Sequence, residues 1–308
     1  MHITLIHNPN SGDEKHSRDE LLNLLRSHGY EPAYQSIKDD GWEHALDEPG
    51  EMVVAAGGDG TVDDVMMRFA ERGVPLGILP LGTANNIAWE LGITGEPADI
   101  IAGWKTARRK KFDLGVARGP WGKMHFVEAL GVGAFAHLMP ILAALGNRKP
   151  YEDRKDHLQN ELTALKVLVE ASRAANWEIE LDGEKLADEF LLLEVMNIST
   201  IGPGLQFAPD ADPGDGLLDV VLIEEGHRKE LMDYLSWCIM SSRIPANFPV
   251  RRAQRVQFRW QGSMVHVDSS LWSASDERMK DVKKPKKKPP CTIDIRLMPQ
   301  ALELLVPR

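Results

Sequence analysis

The chain has 308 residues, 43% hydrophobic and 27% charged, enough for one large or two ordinary globular domains with a substantial core. Its 36 Lys and Arg against 46 Asp and Glu leave a formal net charge of −10, which argues against a general nucleic-acid binder. Two cysteines, Cys238 and Cys291, and ten histidines with no His-Glu-x-x-His pair support neither a disulfide framework nor a zinc site, and point to a reducing compartment.

The N-terminus "MHITLIHNPNSG" is strand-like and lacks the basic and apolar regions of a signal peptide. Its β-branched run "ITLIH" breaks at Asn8-Pro9-Asn10-Ser11-Gly12. A helix follows, with an apolar stripe of Leu21, Leu22, Leu24 and Leu25 and a stop at Gly29. "MVVAA" predicts a buried strand, "VDDVMMRFAER" a helix ending before Gly73, "PLGILPLG" a strand and "TANNIAWELG" a short helix. Short apolar strands alternating with helices predict a parallel sheet covered on both faces, hence a three-layer α/β domain over residues 1–112.

Beyond residue 112 the texture changes. The longest apolar stretch, "FAHLMPILAAL", is too short and interrupted to span a bilayer, so a soluble protein is expected, able to touch a membrane from outside. "WEIELDGEKLADEFLLLEVMN" alternates apolar and polar residues about Asp182-Gly183 and predicts a hairpin. "LLDVVLI", "RVQFRW", "MVHVDSS", "TIDIRLM" and "ALELLV" predict further short strands, interrupted by two helical patterns. A mostly antiparallel β-sandwich is expected over 113–298, with 299–308 packing back near the first domain. Within it, 272–290 is a charged, proline-containing insert that includes "KKPKKK" and reads as a solvated or flexible loop.

Three turns carry the chemistry: "NPNSG", "GGDGT" and "LGTAN". Each joins a strand to a helix, and in α/β sheets ligands settle at the carboxyl ends of strands. Glycines and helix starts there offer backbone N–H donors to phosphate. Thr61 is a candidate N-cap, with Asp64 completing a weak capping box. No Gly-Lys-Ser or Gly-Lys-Thr occurs, so Asp59 beside a triphosphate requires Mg²⁺ between them. "GVGAFA", Gly131 to Ala136, fits a dinucleotide fingerprint but lies outside the parallel region, and reads as packing or a turn.

In their order and spacing, "NPNSG", "GGDGTVDDV", "LPLGTANNIA", "EALGVGAFA", "NISTIGPGLQFAPDADPGDGLLDVVLI" and "LMPQALELLVP" resemble the diacylglycerol kinase catalytic-domain family, particularly the soluble bacterial lipid kinases. The resemblance implies an α/β nucleotide-binding domain, a β-sandwich and an active site in a cleft between them. It implies an ATP- and Mg²⁺-dependent lipid kinase acting at a membrane surface, cytoplasmic or peripheral at the inner membrane face, with homodimers among the bacterial relatives. It places Asn8 and Ser11 by the nucleotide, Gly57, Gly58, Asp59, Gly60 and Thr61 at the phosphates, and Gly82, Thr83 and Asn85 on the nucleoside side. Asp215 in "DPGDGLLD" matches a carboxylate ligand of a structural Mg²⁺, and Asp268 matches the acid held to activate the lipid hydroxyl. The sequence departs from the family where Ser269 and Ser270 replace the Gly and Glu of Asp-Gly-Glu, where Asn86 stands for a frequent Asp, and near Ala134, in a segment where relatives often carry an Asp. A catalytically weak or inactive nucleotide- or lipid-binding relative, and an NAD kinase, are the alternatives.

Overall fold

The computed structural model describes residues 1–12, 16–146, 154–241, 243–274 and 282–308. They divide into two compact units, Met1–Asp113 with Pro299–Arg308, and Leu114–Met298.

The first unit contains β1 (His2–His7), α1 (Arg18–Ser27), β2 (Glu31–Ser36), β3 (Met52–Gly57), α2 (Asp59–Phe69), β4 (Leu76–Pro80), α3 (Asn86–Glu90) and α4 (Pro97–Gly103), and the start of β5 (Arg108–Gly119). Its parallel strands run β2-β1-β3-β4. α1 starts where the Ser17 side chain accepts the Glu20 N–H, carries Asp19 and Glu20 in its first turn and Arg26 in its last, and buries Leu21, Leu22 and Leu25. These leucines pack with Ile3, Leu5, Met52, Val54, Ile101 of α4 and Trp104 just after it on one sheet face. Trp104 lies so close to the sheet that a Cβ on Gly77 would meet its ring at 3.0 Å. α2 turns Val62, Val65, Met66 and Phe69 inward and packs on β3. β2 was not legible as a strand. It is an edge strand, half exposed and carrying Pro32, and a proline is tolerated where one side of the ladder faces solvent.

The second unit contains the rest of β5, then β6 (Gly122–Phe126), β7 (Ala129–Gly133), α5 (Ala134–Gly146), α6 (Arg154–Ala171), β8 (Ala175–Leu181), β9 (Glu184–Met196), β10 (Leu218–Glu224), α7 (Arg228–Met240), β11 (Val250–Ala253), β12 (Arg255–Trp260), β13 (Val265–Val267), β14 (Ser270–Trp272), β15 (Val282–Lys283) and most of β16 (Cys291–Val306). The hairpin at Asp182-Gly183 forms as expected. Leu181 faces Glu184, and both turn residues have positive φ, +49° and +95°, as a two-residue primed turn requires. β9 serves both sides of a sandwich, pairing antiparallel with β8 through its first half and with β7 and β10 through its second. Alternation then sends Leu193 and Val195 into the core between sheets, with Ile179, Val220, Phe258 and Ile293. Leu192 and Met196 go to the opposite face, under α5, α6 and α7. Among the described residues no helix is long and apolar enough to cross a membrane.

One expectation is revised and one holds. Residues 275–281 of the insert lie outside the described residues, but the remainder is not a bare loop. Val282–Lys283 pair parallel with β14, and the N–H groups of Lys286 and Lys287 both donate to Pro120 O. The fingerprint-like "GVGAFA" is the end of β7 and the start of α5, in an antiparallel sheet. Gly131 lies between Glu194 of β9 and His266 of β13 in register. A side chain there would overlap the Glu194 carboxylate, and its absence lets Glu194 and His266 meet across the strand at 2.8 Å.

Candidate active site

β1, β3 and β4 are parallel neighbours, so the turns leaving their carboxyl ends stand side by side. The hydrogen bonds between them are specific. Asn8 N donates to Ala56 O at 2.9 Å, and Asn8 Nδ2 donates to Thr61 Oγ1 at 3.1 Å, tying the first turn to the second. Asp59 Oδ1 accepts the Ile87 N–H at 3.1 Å, tying the second to the third and capping the short α3. Leu81 N donates to Gly57 O. Glycine is required where the turns touch. A Cβ on Gly82 would overlap the Cα of Gly58, and one on Gly57 would come within 2.5 Å of Thr61. Gly60 has open space where a side chain would be, at the exposed start of α2. Gly82→Ala is therefore expected to push the second and third turns apart, destabilising the fold by about 1–3 kcal/mol in denaturant titration and weakening nucleotide binding with it.

The structure uses the predicted residues in ways the sequence did not reveal. Thr61 is not an N-cap. α2 begins at Asp59 after Gly58, which holds an extended conformation, and Thr61 is buried within the first turn with its hydroxyl taken by Asn8. Asp64 pairs instead with Arg68 at 3.1 Å. Asn85 sits in the left-handed region at φ +53°, which an asparagine tolerates. Its amide closes the third turn, accepting from Gly82 N at 2.9 Å and donating to Gly82 O at 2.8 Å. Ser11 N donates back to Asn8 O, which holds it in the first turn, and Thr83 is half-buried in the third. His7, directly before the first turn, is buried against Tyr34, and burial lowers its pKa, so it adds no positive charge there at neutral pH.

Asp268 and Asp215 belong to the second unit. Asp268 occupies the β13–β14 turn at φ +45°. Its Oδ1 accepts from Glu128 N and Ala129 N at 2.9 and 3.0 Å, and its Oδ2 from Val127 N at 2.7 Å. Burial pushes this carboxyl above the usual carboxylate range, and the three backbone donors pull against that shift. Oδ2, with one donor, retains a lone pair that could receive a proton. Ser270, in place of the expected glutamate, opens β14 and accepts from Lys283 Nζ at 3.1 Å. The upstream Asp182-Gly183-Glu184 cannot replace it, since Asp182 binds the N–H groups of Gln254 and Arg255 and Glu184 pairs with Arg251.

Asp215, expected at a structural Mg²⁺, is held otherwise. Its Oδ1 accepts the Leu217 N–H at 2.9 Å, and its Oδ2 is ion-paired with Arg252, whose guanidinium also reaches Asp219 at 3.4 Å. A dication there would have to displace a guanidinium, and among the described residues no group of three or more His, Cys, Asp or Glu is placed to hold a metal. As arranged, the one carboxylate that Asp215 would offer a dication is held by Arg252.

The first unit is thus an α/β domain with three glycine turns abreast, and the second an antiparallel β-sandwich. Residues 2–117 match the diacylglycerol kinase catalytic domain, and residues 147–306 match the YegS C-terminal NAD kinase beta sandwich-like domain. The chain belongs to the family with the YegS C-terminal NAD kinase beta sandwich-like domain, and carries a diacylglycerol kinase catalytic domain ahead of it. It is 26% identical over 257 residues to a diacylglycerol kinase of Bacillus subtilis, covering 78% of this chain and 79% of that one. It is 27% identical over 263 residues to a diacylglycerol kinase of Mycobacterium tuberculosis, covering 83% and 77%. Its fold is similar to the crystal structure of a diacylglycerol kinase from Bacillus anthracis, with TM-score 0.67, 17% identity and 98% and 96% of the chains covered. Yeast NADH kinase has a more distant likeness in fold, with TM-score 0.54, 10% identity and 100% and 84% covered.

Proposed function

We propose that the protein transfers the γ-phosphoryl group of ATP to the hydroxyl of a diacylglycerol-like lipid. The observation that carries this reading is the set of bonds joining Asn8 to Thr61 and Asp59 to Ile87, which hold three phosphate-type turns at one sheet end. The turn glycines and the start of α2 receive the phosphates through backbone N–H groups. Mg²⁺ carried by the nucleotide neutralises the triphosphate and lets Asp59 stand beside it. Asp268 Oδ2 takes the hydroxyl proton as the lipid oxygen bonds to phosphorus and the bond to ADP breaks.

Incubating the protein with labelled ATP, Mg²⁺ and a total lipid extract tests this reading, with label expected in the organic phase. Label in NADP would make it an NAD kinase. Nucleotide binding without either product would support a non-catalytic relative, the reading favoured by the Ser270–Lys283 contact where a second acid was expected. Asp268→Asn separates chemistry from architecture. The amide nitrogen would oppose a backbone donor, so a loss of about 1–3 kcal/mol in stability is expected. Turnover per folded molecule should fall by a further ~10²–10⁴-fold. Lost stability with unchanged turnover would leave Asp268 as a clamp on residues 127–129 alone.

A further inference from the structure

The lysine run of the insert does not stand by itself. Backbone bonds from Lys286 and Lys287 to Pro120 O, at 2.7 and 3.0 Å, seat it against the β5–β6 hairpin. That hairpin contributes its own cations, since Arg118 and Lys123 face each other across the ladder. Like charges directly opposite in a strand pair repel, and a carboxylate partner ordinarily relieves this. Here Arg118, Lys123, Lys286, Lys287 and Lys288 are all exposed, and among the described residues none of them forms an ion pair. Lys283 lies over the Trp272 ring at 5.6 Å, and Trp272 packs on the buried Trp121 of the hairpin, so a firm aromatic base supports the charged face. A concentration of uncompensated cations on a chain of net charge −10 is a local inversion that fits a polyanionic surface.

We infer that this face docks the protein onto an anionic membrane. The choice of a membrane over another polyanion rests on the lipid-kinase reading, because a lipid substrate resides in a bilayer, while the cationic face itself does not depend on that reading. Lysines near an anionic leaflet each add a modest attraction that falls off within a Debye length, so several on one backbone-pinned segment produce a salt-sensitive hold without any inserted helix.

The test is cosedimentation of the full chain with vesicles of phosphatidylcholine alone, or of phosphatidylcholine with phosphatidylglycerol, at low and high salt. Binding to the anionic vesicles only, lost at high salt, is expected. Charge reversal at Lys286, Lys287 and Lys288 should weaken it about a hundredfold. The pair Arg118→Glu and Lys123→Glu, on the other element of the face, should weaken it too. Equal binding to neutral vesicles, no vesicle binding, wild-type binding by both variants, or tighter binding to duplex DNA than to anionic vesicles would each overturn the inference. Phosphorylation of a detergent-dispersed lipid should be unchanged in the lysine variant. Loss of vesicle binding with retained turnover therefore separates this inference from the catalytic reading, whose failure would appear as no turnover in the wild type.

Discussion

Asp59→Asn is expected to lower kcat/KM for ATP by about 10²–10³-fold while leaving the thermal midpoint nearly unchanged. The two effects separate because Asp59 serves two ends. Its Oδ1 accepts the Ile87 N–H and so holds the third turn against the second, which the carbonyl oxygen of an asparagine can also do. Its charge stands at the start of α2 beside Gly60, which has open space where a side chain would be. Asparagine keeps the cap and removes the charge. Asp59→Ala removes both, and should add a stability loss of about 1 kcal/mol to the loss of turnover. Steady-state kinetics with a thermal melt on the same preparations decides the matter. Full turnover in Asp59→Asn would refute an electrostatic role and leave only the cap.

The largest expected loss of stability is at His266→Leu, about 3–5 kcal/mol near pH 8. Glu194 and His266 are 0% and 2% exposed by side chain, 2.8 Å apart, and bridge over Gly131 from opposite neighbouring strands. Glu194 Oε1 and His266 Nδ1 have no hydrogen-bond partner, so each relies on the other to remain buried. The Glu194 and Asp268 carboxylates raise the His266 pKa against its burial. Removing the imidazole would leave a carboxyl whose pKa burial has already raised. Below the unfolded glutamate value, about 4.3, folded and unfolded forms are both protonated and that penalty vanishes. As pH rises the unfolded chain ionises first, so the variant loses stability progressively. Denaturant titration should thus show a deficit that is small at pH 4.5 and large at pH 8. The double variant Glu194→Leu, His266→Leu, which leaves no buried charge, should recover much of it. A pH-independent deficit would mean that lost packing against Phe135, rather than a stranded carboxyl, is the cause.

What could be read along the chain was what neighbouring residues specify. The apolar runs of β1, β3 and β4, the leucine face of α1 and the Asp182-Gly183 hairpin are local patterns, because backbone periodicity and turn conformation are settled within a few residues. The three glycine turns were legible for the same reason. β2 was hidden because an edge strand need not be apolar, and the start of α2 was misplaced because a distant Asn8 claims the Thr61 hydroxyl that a cap would have used.

Partnership between remote residues had no such signature. Gly131, readable from its segment only as packing or a turn, is the gap through which Glu194 and His266 bond. Asp215 looked like a metal ligand and is paired with Arg252, and the lysine run looked like a loop and is pinned to Pro120. Each of these depends on strand register or on a close approach between segments tens of residues or more apart. Those contacts exist only once the sheets have closed, so the composition of a segment shows which chemistry it can supply, and the pairing of strands shows where that chemistry is spent.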